Sequence, residues 1–247
     1  MSKLTEKVIV ITGASEGIGR ALAVTLAPQR PRLVLAARSR DRLQSCADEC
    51  SAIGAECLIV PTDVTDENEC KNLIDETIER FGRIDVLVNN AGGTMWARFD
   101  EVEDLSIYEN LMRLNYLSAV WLTYHALPHL KATKGLIVGI SSLAGITGVP
   151  CRTGYAATKH AMFGFFDSLR IELEGSGVDV TMIAPDFVVS QIHKRALRGD
   201  GTPLSKTPMQ ETKIMDTRTC AEFIVGGIER RQRLVIMTFR GHLGRWL

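Results

Sequence analysis

Short apolar runs alternate with helical segments along the whole chain, and that alternation limits the fold more than any other feature of the sequence. The runs fall at 7–12, 32–36, 56–61, 84–89, 134–140, 177–183 and 233–237, each bounded by turn-forming residues. Continuous apolar runs, rather than polar–apolar alternations, mark strands buried on both faces, as in parallel sheets. Helical patterns fill 17–28, 41–53, 66–81, 106–130, 154–174 and 217–229, and Gly82 after Glu79-Arg80-Phe81 gives the third a stop. Seven strands alternating with six helices predict βαβ units: a doubly wound α/β fold whose seven-stranded parallel sheet is covered by helices on both faces. No linker, low-complexity stretch or fixed-period repeat breaks residues 1–247, so one domain is expected.

The stretch from Pro185 to Asp216 departs from the pattern. It is long, weakly patterned, and carries Gly199-Asp200-Gly201, Pro203 and Pro208. Long loops in compact domains are commonly functional lids, and this one follows a strand end, on the side where open α/β sheets bind ligands. Residues 186–216 are therefore expected to form a substrate-binding lid within the single domain.

Charge excludes some classes of partner. Net charge is +0 with a pI near 7.0, so no global field argues for nucleic acid or an anionic membrane. Of two basic runs, Arg230-Arg231-Gln232-Arg233 suits a solvated helix C-terminus, and Arg38-Ser39-Arg40 acquires a sharper role below. Six cysteines offer Cys46 and Cys50 four apart but no second pair or histidine at metal-site spacing, so reduced thiols are expected. No stretch reaches the roughly 18 apolar residues of a membrane span, and residues 1–7 show no apolar signal region. A cytoplasmic location is expected.

The first strand runs into Thr12-Gly13-Ala14-Ser15-Glu16-Gly17-Ile18-Gly19. Gly13 permits a tight turn, Gly17 lets backbone come close to a pyrophosphate, and Gly19 allows close helix packing. The helix starting here directs free N–H groups and its positive dipole end at an anion. The spacing Thr-Gly-x-x-x-Gly-x-Gly resembles the short-chain dehydrogenase/reductase family, which implies a Rossmann-type fold and a nicotinamide cofactor. An acidic residue at the end of the second strand commonly reads the ribose of NAD, whereas an arginine accommodates the 2′-phosphate of NADP. Here Leu35-Ala36-Ala37 leads to Arg38 and Ser39, so NADP(H) is expected in preference to NAD(H). Glu16 sits in the glycine loop where some NADP-dependent relatives carry a basic residue. By the same resemblance Asp63, with Val64, takes the adenine-binding position after the third strand. Asn90-Ala91-Gly92, within the Asn89-Asn90-Ala91-Gly92 motif, lets backbone approach the adenosine, and Asn89 is read as structural.

Tyr155 and Lys159 lie four apart in Tyr155-Ala156-Ala157-Thr158-Lys159, on one helical face. A phenol titrates near 10 and is a poor base at neutral pH unless a nearby cation favours the phenolate. Ser142 stands at the C-terminal end of the fifth strand, the ligand-binding edge of such sheets, where its hydroxyl can bond a carbonyl oxygen. Asn115 falls mid-helix among apolar residues, where its amide needs partners: a backbone contact or a relay water. Asn115, Ser142, Tyr155 and Lys159 resemble the family's catalytic tetrad in order and spacing. The resemblance implies that Tyr155 protonates the carbonyl oxygen and Ser142 orients it. Lys159 would lower the Tyr155 pKa and hold the nicotinamide ribose, and Asn115 would hold the relay water. Tyr155 and Lys159 thereby also count as cofactor-binding, as do Pro185, Val188 and Ser190 after the sixth strand. The family usually has Pro-Gly there; this chain has Pro185-Asp186, which puts a charge beside the substrate region.

His125 and His129, four apart on a helix, lack a third ligand, so no metal is expected. Trp121 and Tyr124 beside them suit core or subunit interface, and the segment Arg240–Leu247 suits a short tail. The resemblance implies a homodimer or homotetramer. Trp96, Leu143, Ile146, Val149, Phe187, Val188 and Ile192 are expected around the substrate, which predicts a small-molecule apolar ketone or alcohol. The stretch 152–170 resembles the NADP(H)-dependent hydroxysteroid-dehydrogenase-like branch. The alternatives are a β-ketoacyl thioester reductase of fatty acid synthesis, docking an acidic carrier protein on Lys194, Arg195 and Arg198, and a catalytically idle cofactor-sensing regulator.

Overall fold

The computed structural model describes residues 3–238 and Gly241. Seven strands form one all-parallel sheet: β1 (Val8–Thr12), β2 (Arg32–Ala37), β3 (Glu56–Pro61), β4 (Val86–Asn89), β5 (Leu136–Ile140), β6 (Asp179–Ala184) and β7 (Leu234–Ile236). Their order is β3-β2-β1-β4-β5-β6-β7, which makes the sheet doubly wound as expected. The helices are α1 (Gly17–Leu26), α2 (Arg40–Ile53), α3 (Glu67–Phe81), α4 (Ser106–Met112), α5 (Ser118–Thr133), α6 (Thr153–Glu172) and α7 (Thr217–Arg230).

In the central strands side chains alternate between two buried apolar layers, which is why those runs carry apolar residues on both faces. From β1, Ile9 and Ile11 face a layer with Leu22 and Leu26 of α1 and Ile224 and Ile228 of α7. Val8 and Val10 face the other layer, with Leu73 of α3, Leu122 of α5 and Phe166 of α6. Phe166 is fully buried, and truncating such a ring typically costs about 3–5 kcal/mol.

The helix ends follow their residues. Asp66 caps α3, accepting from the amides of Asn68 at 2.7 Å and Glu69 at 3.2 Å, and Gly82 ends it with φ of 70°. Asp216 caps α7 through the Thr219 amide at 2.8 Å. Arg231 follows α7 and ties its end to the sheet through the Lys134 carbonyl at 2.6 Å and Asp179 at 2.7 Å. The N-terminus of α1 has no side-chain cap, so its amides stay open.

The one helix expected over 106–130 is two, α4 and α5, joined by a π-helical turn at Arg113–Leu117. Hydrophobic periodicity cannot register one extra residue in a turn. The segment 185–216 carries isolated bridges, Val188 with Met215 and Met95 with Leu197, and one 3-10 turn at Glu211–Lys213. Arg240 and Trp246 of the expected tail lie outside the described residues.

Candidate active site

β1 has β2 on one side and β4 on the other, so the chain's winding reverses beside it. A crevice opens at the C-terminal ends of strands at such a point. Two cavities lie there. The larger, about 310 Å³, is lined by the glycine loop, Arg38, Ser39, Asp63, Val64, Asn90, Ala91, Gly92, Tyr155, Lys159 and Ser190. The smaller, about 130 Å³, is lined by Ser142, Tyr155, Pro185, Asp186, Phe187, Val188, Arg152 and His193. Tyr155 lines both. Of the expected cofactor residues, Pro185 and Val188 line only the smaller cavity, and Gly19 lines neither.

The glycine loop is held against β4. Gly13 has φ of +66°, and a Cβ there would stand 2.9 Å from Asn90 Nδ2 and 3.0 Å from the Ala91 Cα. A Cβ at Gly19 would meet the Gly13 carbonyl oxygen at 2.3 Å, which explains its absence from the lining: it packs the helix onto the turn. The Thr12 hydroxyl donates to the Val88 carbonyl at 3.2 Å and accepts the amides of Asn90 at 3.0 Å and Ala91 at 3.1 Å. Asn90 Nδ2 returns a bond to the Thr12 carbonyl at 2.7 Å, while Asn89 Nδ2 bonds the Thr123 hydroxyl at 3.3 Å, away from the cavity.

Glu16 stands between two arginines. Arg42 bonds it at 3.0 Å, and Arg195 from the 185–216 segment grips both its oxygens. With Arg38, the rim carries three guanidiniums against this one carboxylate and Asp63. Partial burial raises the Asp63 pKa, but the Thr65 amide at 3.0 Å, the Thr65 hydroxyl at 2.8 Å and the Arg38 charge leave it below its ordinary value. Arg42, Arg195, Thr62 and Gln191 line this cavity without any signal in the local sequence.

Tyr155 sits in the first turn of α6, and Lys159 one turn further on; both are buried. Lys159 Nζ donates to the Ile140 carbonyl at 2.9 Å and lies 5.8 Å from the Tyr155 ring centroid. Burial brings Lys159 down to about 8. Burial likewise raises the Tyr155 pKa, opposed by a hydrogen bond with the Ser142 hydroxyl and by the Arg152 charge. Ser142 and Arg152 are the groups that oppose the rise, while the Lys159 ammonium bonds the Ile140 carbonyl. The Ser142 hydroxyl also accepts the Ala144 amide at 3.1 Å.

Asn115, 1 % exposed, does not line either cavity. From the π turn its Oδ1 accepts the Gly93 amide at 2.8 Å, and its Nδ2 donates to the Gly93 carbonyl at 3.0 Å and the Thr158 hydroxyl at 2.9 Å. The backbone contact expected for it is thereby present, and it joins the loop after β4 to α6.

Asp186 fits without strain. Its backbone is not in the left-handed region, its Oδ1 accepts the Phe187 amide at 2.9 Å, and its Oδ2 accepts the Thr238 hydroxyl at 3.2 Å. Of the expected apolar lining, Leu143, Val149, Phe187, Val188 and Ile192 face the smaller cavity; Ile146 does not, and Trp96 reaches it only through Arg152. Arg152 and His193 are the residues that sequence reasoning missed there. Among the described residues no group of three or more His, Cys, Asp or Glu side chains could hold a metal, and all six cysteines are free. Arg198 of the basic trio donates to the Leu204 carbonyl at 3.2 Å.

The family model described as short chain dehydrogenase matches residues 7–200, and the chain belongs to that family. It is 39 % identical over 234 residues to an 11-beta-hydroxysteroid dehydrogenase-like protein of Arabidopsis thaliana, 94 % of this chain and 77 % of that one. It is 33 % identical over 252 residues to a dehydrogenase/reductase SDR family protein 7-like of Dictyostelium discoideum, 100 % of this chain and 78 % of that one. An alcohol dehydrogenase from the archaeon Thermococcus sibiricus, solved with 5-hydroxy-NADP, superposes with a TM-score of 0.76 at 30 % identity over 88 % of each chain. A short-chain dehydrogenase/reductase from Burkholderia phymatum, solved with NAD, shares the fold with a TM-score of 0.89 at 24 % identity, covering 100 % of this chain and 94 % of that one. The protein is thus an oxidoreductase of the family with hydroxysteroid-dehydrogenase-like relatives, and the family binds a nicotinamide cofactor.

Proposed function

We propose that this enzyme interconverts a carbonyl and a secondary alcohol using NADP(H), with Tyr155 as the group that gives or takes the proton. The observation that carries the reading is the position of Tyr155 on the wall shared by the two cavities, one built around a glycine loop and the other around Ser142. The larger cavity fits a dinucleotide: Gly13 and Gly17 of the loop line it, the α1 amides are uncapped, and cations ring its rim. The cofactor, when bound, supplies the hydride in reduction or accepts it in oxidation.

The chain's own residues handle the proton. In reduction Tyr155 Oη donates its proton to the carbonyl oxygen, and its raised pKa keeps that proton available at neutral pH. The Ser142 hydroxyl donates to the same oxygen and steadies the charge developing on it. Lys159 supplies a fixed cation behind Tyr155 and a donor toward the cofactor cavity it lines. Asn115 acts by fixing Gly93 and Thr158, and thereby the wall beside Lys159; a relay water there remains part of the proposal. Ser190, Gln191, Ile192 and Arg195 bring the 186–216 segment over the cofactor cavity as a lid within the single domain.

NADP(H) is preferred in this reading because Arg38, Arg42 and Arg195 outnumber the carboxylates of the rim, and Glu16 is already paired with two of them. The substrate body is apolar, against Leu143, Val149, Phe187 and Ile192. Exposed Tyr124 on α5 and Ile171 on α6, 73 % and 74 % exposed, suit a homo-oligomer interface. No helix among the described residues is long and apolar enough to cross a membrane, and we place the enzyme in the cytoplasm. Titration with NADPH and NADH, followed by turnover of a ketone panel, tests the reading. Tight binding of neither cofactor removes it and favours a regulator.

A further inference from the structure

The smaller cavity contains a charge that no other group in the described chain answers. Arg152 is 5 % exposed, and its Nε and Nη2 are buried without a hydrogen-bond partner. Its guanidinium carbon lies 4.8 Å from the Trp96 ring centroid, 5.0 Å from that of Phe187 and 5.8 Å from that of Tyr155. Aromatic faces attract a cation but leave its N–H donors unused. Asp186 lines the same cavity, yet its two oxygens serve the Phe187 amide and the Thr238 hydroxyl, and no ion pair joins it to Arg152. Glu16 and Asp63 belong to the other cavity.

The two unpaired atoms are informative in themselves. Nε–H and Nη2–H lie on one side of the guanidinium and point in parallel, which is the fork that matches the two oxygens of a carboxylate. A second buried orphan belongs to His193, which lines the same cavity. His193 Nε2 meets the Val188 carbonyl at 3.1 Å, so Nε2 carries the proton and Nδ1, buried and unpartnered, is an acceptor. One cation, one neutral acceptor and aromatic walls suit a single negative charge better than the near-double charge of a phosphate monoester.

We propose that the substrate of this enzyme is a keto or hydroxy acid whose carboxylate is held by Nε and Nη2 of Arg152, with the reacting carbon beside Tyr155. The inference rests on Tyr155 acting at a carbonyl or alcohol, and it adds an anionic handle to the apolar body read from the lining. The 5.8 Å between the Arg152 guanidinium and the Tyr155 ring, with a cavity of about 130 Å³, sets the acid a few bonds from the reacting carbon, not at the end of a long chain. His193 Nδ1 is free to accept from a substrate hydroxyl. Arg152 is therefore a specificity-determining residue.

The test uses the full chain and a panel of short aryl α-, β- and γ-keto acids, each with its methyl ester. Binding is read from tryptophan fluorescence, since Trp96 lies on the guanidinium, with protein alone and with NADP⁺, so that no turnover is needed. At least one acid is expected to bind about 10- to 100-fold more tightly than its ester, and Arg152→Gln to reduce that ratio to about threefold or less. Equal binding of acid and ester across the panel, or a preference that survives Arg152→Gln, overturns the proposal. So does tighter binding of the matching phosphate monoesters.

Thermal denaturation supplies a second readout. Without ligand, Arg152→Met is expected to hold or raise Tm, because an unpaired buried charge is destabilising, and the acids should raise Tm only in the wild type. A large fall in Tm with Arg152→Met assigns Arg152 a structural role and overturns the proposal. Turnover separates this inference from the reading beneath it. Acids that bind but are not reduced with NADPH or NADH refute the action of Tyr155 at a carbonyl and leave the anion site standing. Esters that are reduced while acids neither bind nor react refute the anion site alone.

Discussion

Exchanging Arg38 for aspartate should reverse the cofactor preference, and the rim geometry gives the size of the effect. The substitution removes a charge-assisted fork worth about 1.5–3 kcal/mol and sets a carboxylate near the 2′-phosphate, adding about 1 kcal/mol of repulsion at an exposed site. At about 1.4 kcal/mol per factor of ten, NADPH should bind roughly a hundredfold more weakly. NADH should bind equally well or better, since the introduced carboxylate can accept from the ribose 2′-hydroxyl. Glu16 supplies the opposite perturbation. Glu16→Gln removes the carboxylate that engages Arg42 at 3.0 Å and Arg195, and should tighten NADPH binding a few-fold. Both effects should shrink in high salt, because the screening length is about 10 Å at 0.1 M. Titration of each variant by nicotinamide fluorescence gives the two dissociation constants directly. An unchanged ratio of NADPH to NADH affinity in Arg38→Asp would refute the assignment of the rim to the 2′-phosphate.

Three further outcomes follow from the packing and titration of the site. Lys159 has a pKa of about 8 against an ordinary 10.5, so the unfolded chain binds more protons between those values and this group's contribution to stability rises with pH across that window. For activity the ammonium is present below about 8 and lost above it, while Tyr155 keeps its proton, so kcat/KM for reduction should fall near pH 8. Lys159→Arg should move that limb upward, and a limb that stays in place belongs to another group. Gly19→Ala would drive a Cβ to 2.3 Å from the Gly13 carbonyl oxygen, backbone that cannot swing aside. Overpacking of this kind costs about 1–3 kcal/mol, and each kcal/mol lowers Tm by about 2–4 °C in a chain of this size, with weaker cofactor binding alongside. Asn115→Leu strands the Gly93 amide and carbonyl and the Thr158 hydroxyl, at about 1–3 kcal/mol for each buried group, so denaturant midpoints should drop with little change in m.

The sheet was legible because its central strands are buried on both faces, so β1, β4 and β5 appear as nearly continuous apolar runs, while the edge strand β3 is partly exposed yet keeps apolar residues at Cys57–Val60. The glycine loop and the pairing of Tyr155 with Lys159 were legible for a similar reason: each is a local spacing, set by a tight turn or by one helical turn. Asn115 was legible as a residue but not in its setting, since the π turn adds a residue that leaves periodicity unchanged. What the sequence hid is contact between distant segments. Arg195 reaches Glu16 across 179 positions, and nothing near either residue signals it. Asp186 breaks the family's Pro-Gly pattern, and its acceptance depends on a hydroxyl from Thr238, 52 positions away. Arg152 stands three residues before Tyr155 in plain view, but its burial and its two unpaired donors exist only once Trp96 and Phe187 close around it.

The central claim is that Tyr155 carries the proton in a reaction driven by a nicotinamide cofactor bound beside it. It is tested most directly by comparing wild type with Tyr155→Phe, measuring on the same samples the affinity for NADPH and the rate of its oxidation with a panel of ketones and keto acids. The account predicts cofactor binding within a few-fold in both proteins, turnover in the wild type, and a rate lower by about 10²- to 10⁴-fold in the variant. Turnover by the variant at the wild-type rate would contradict it.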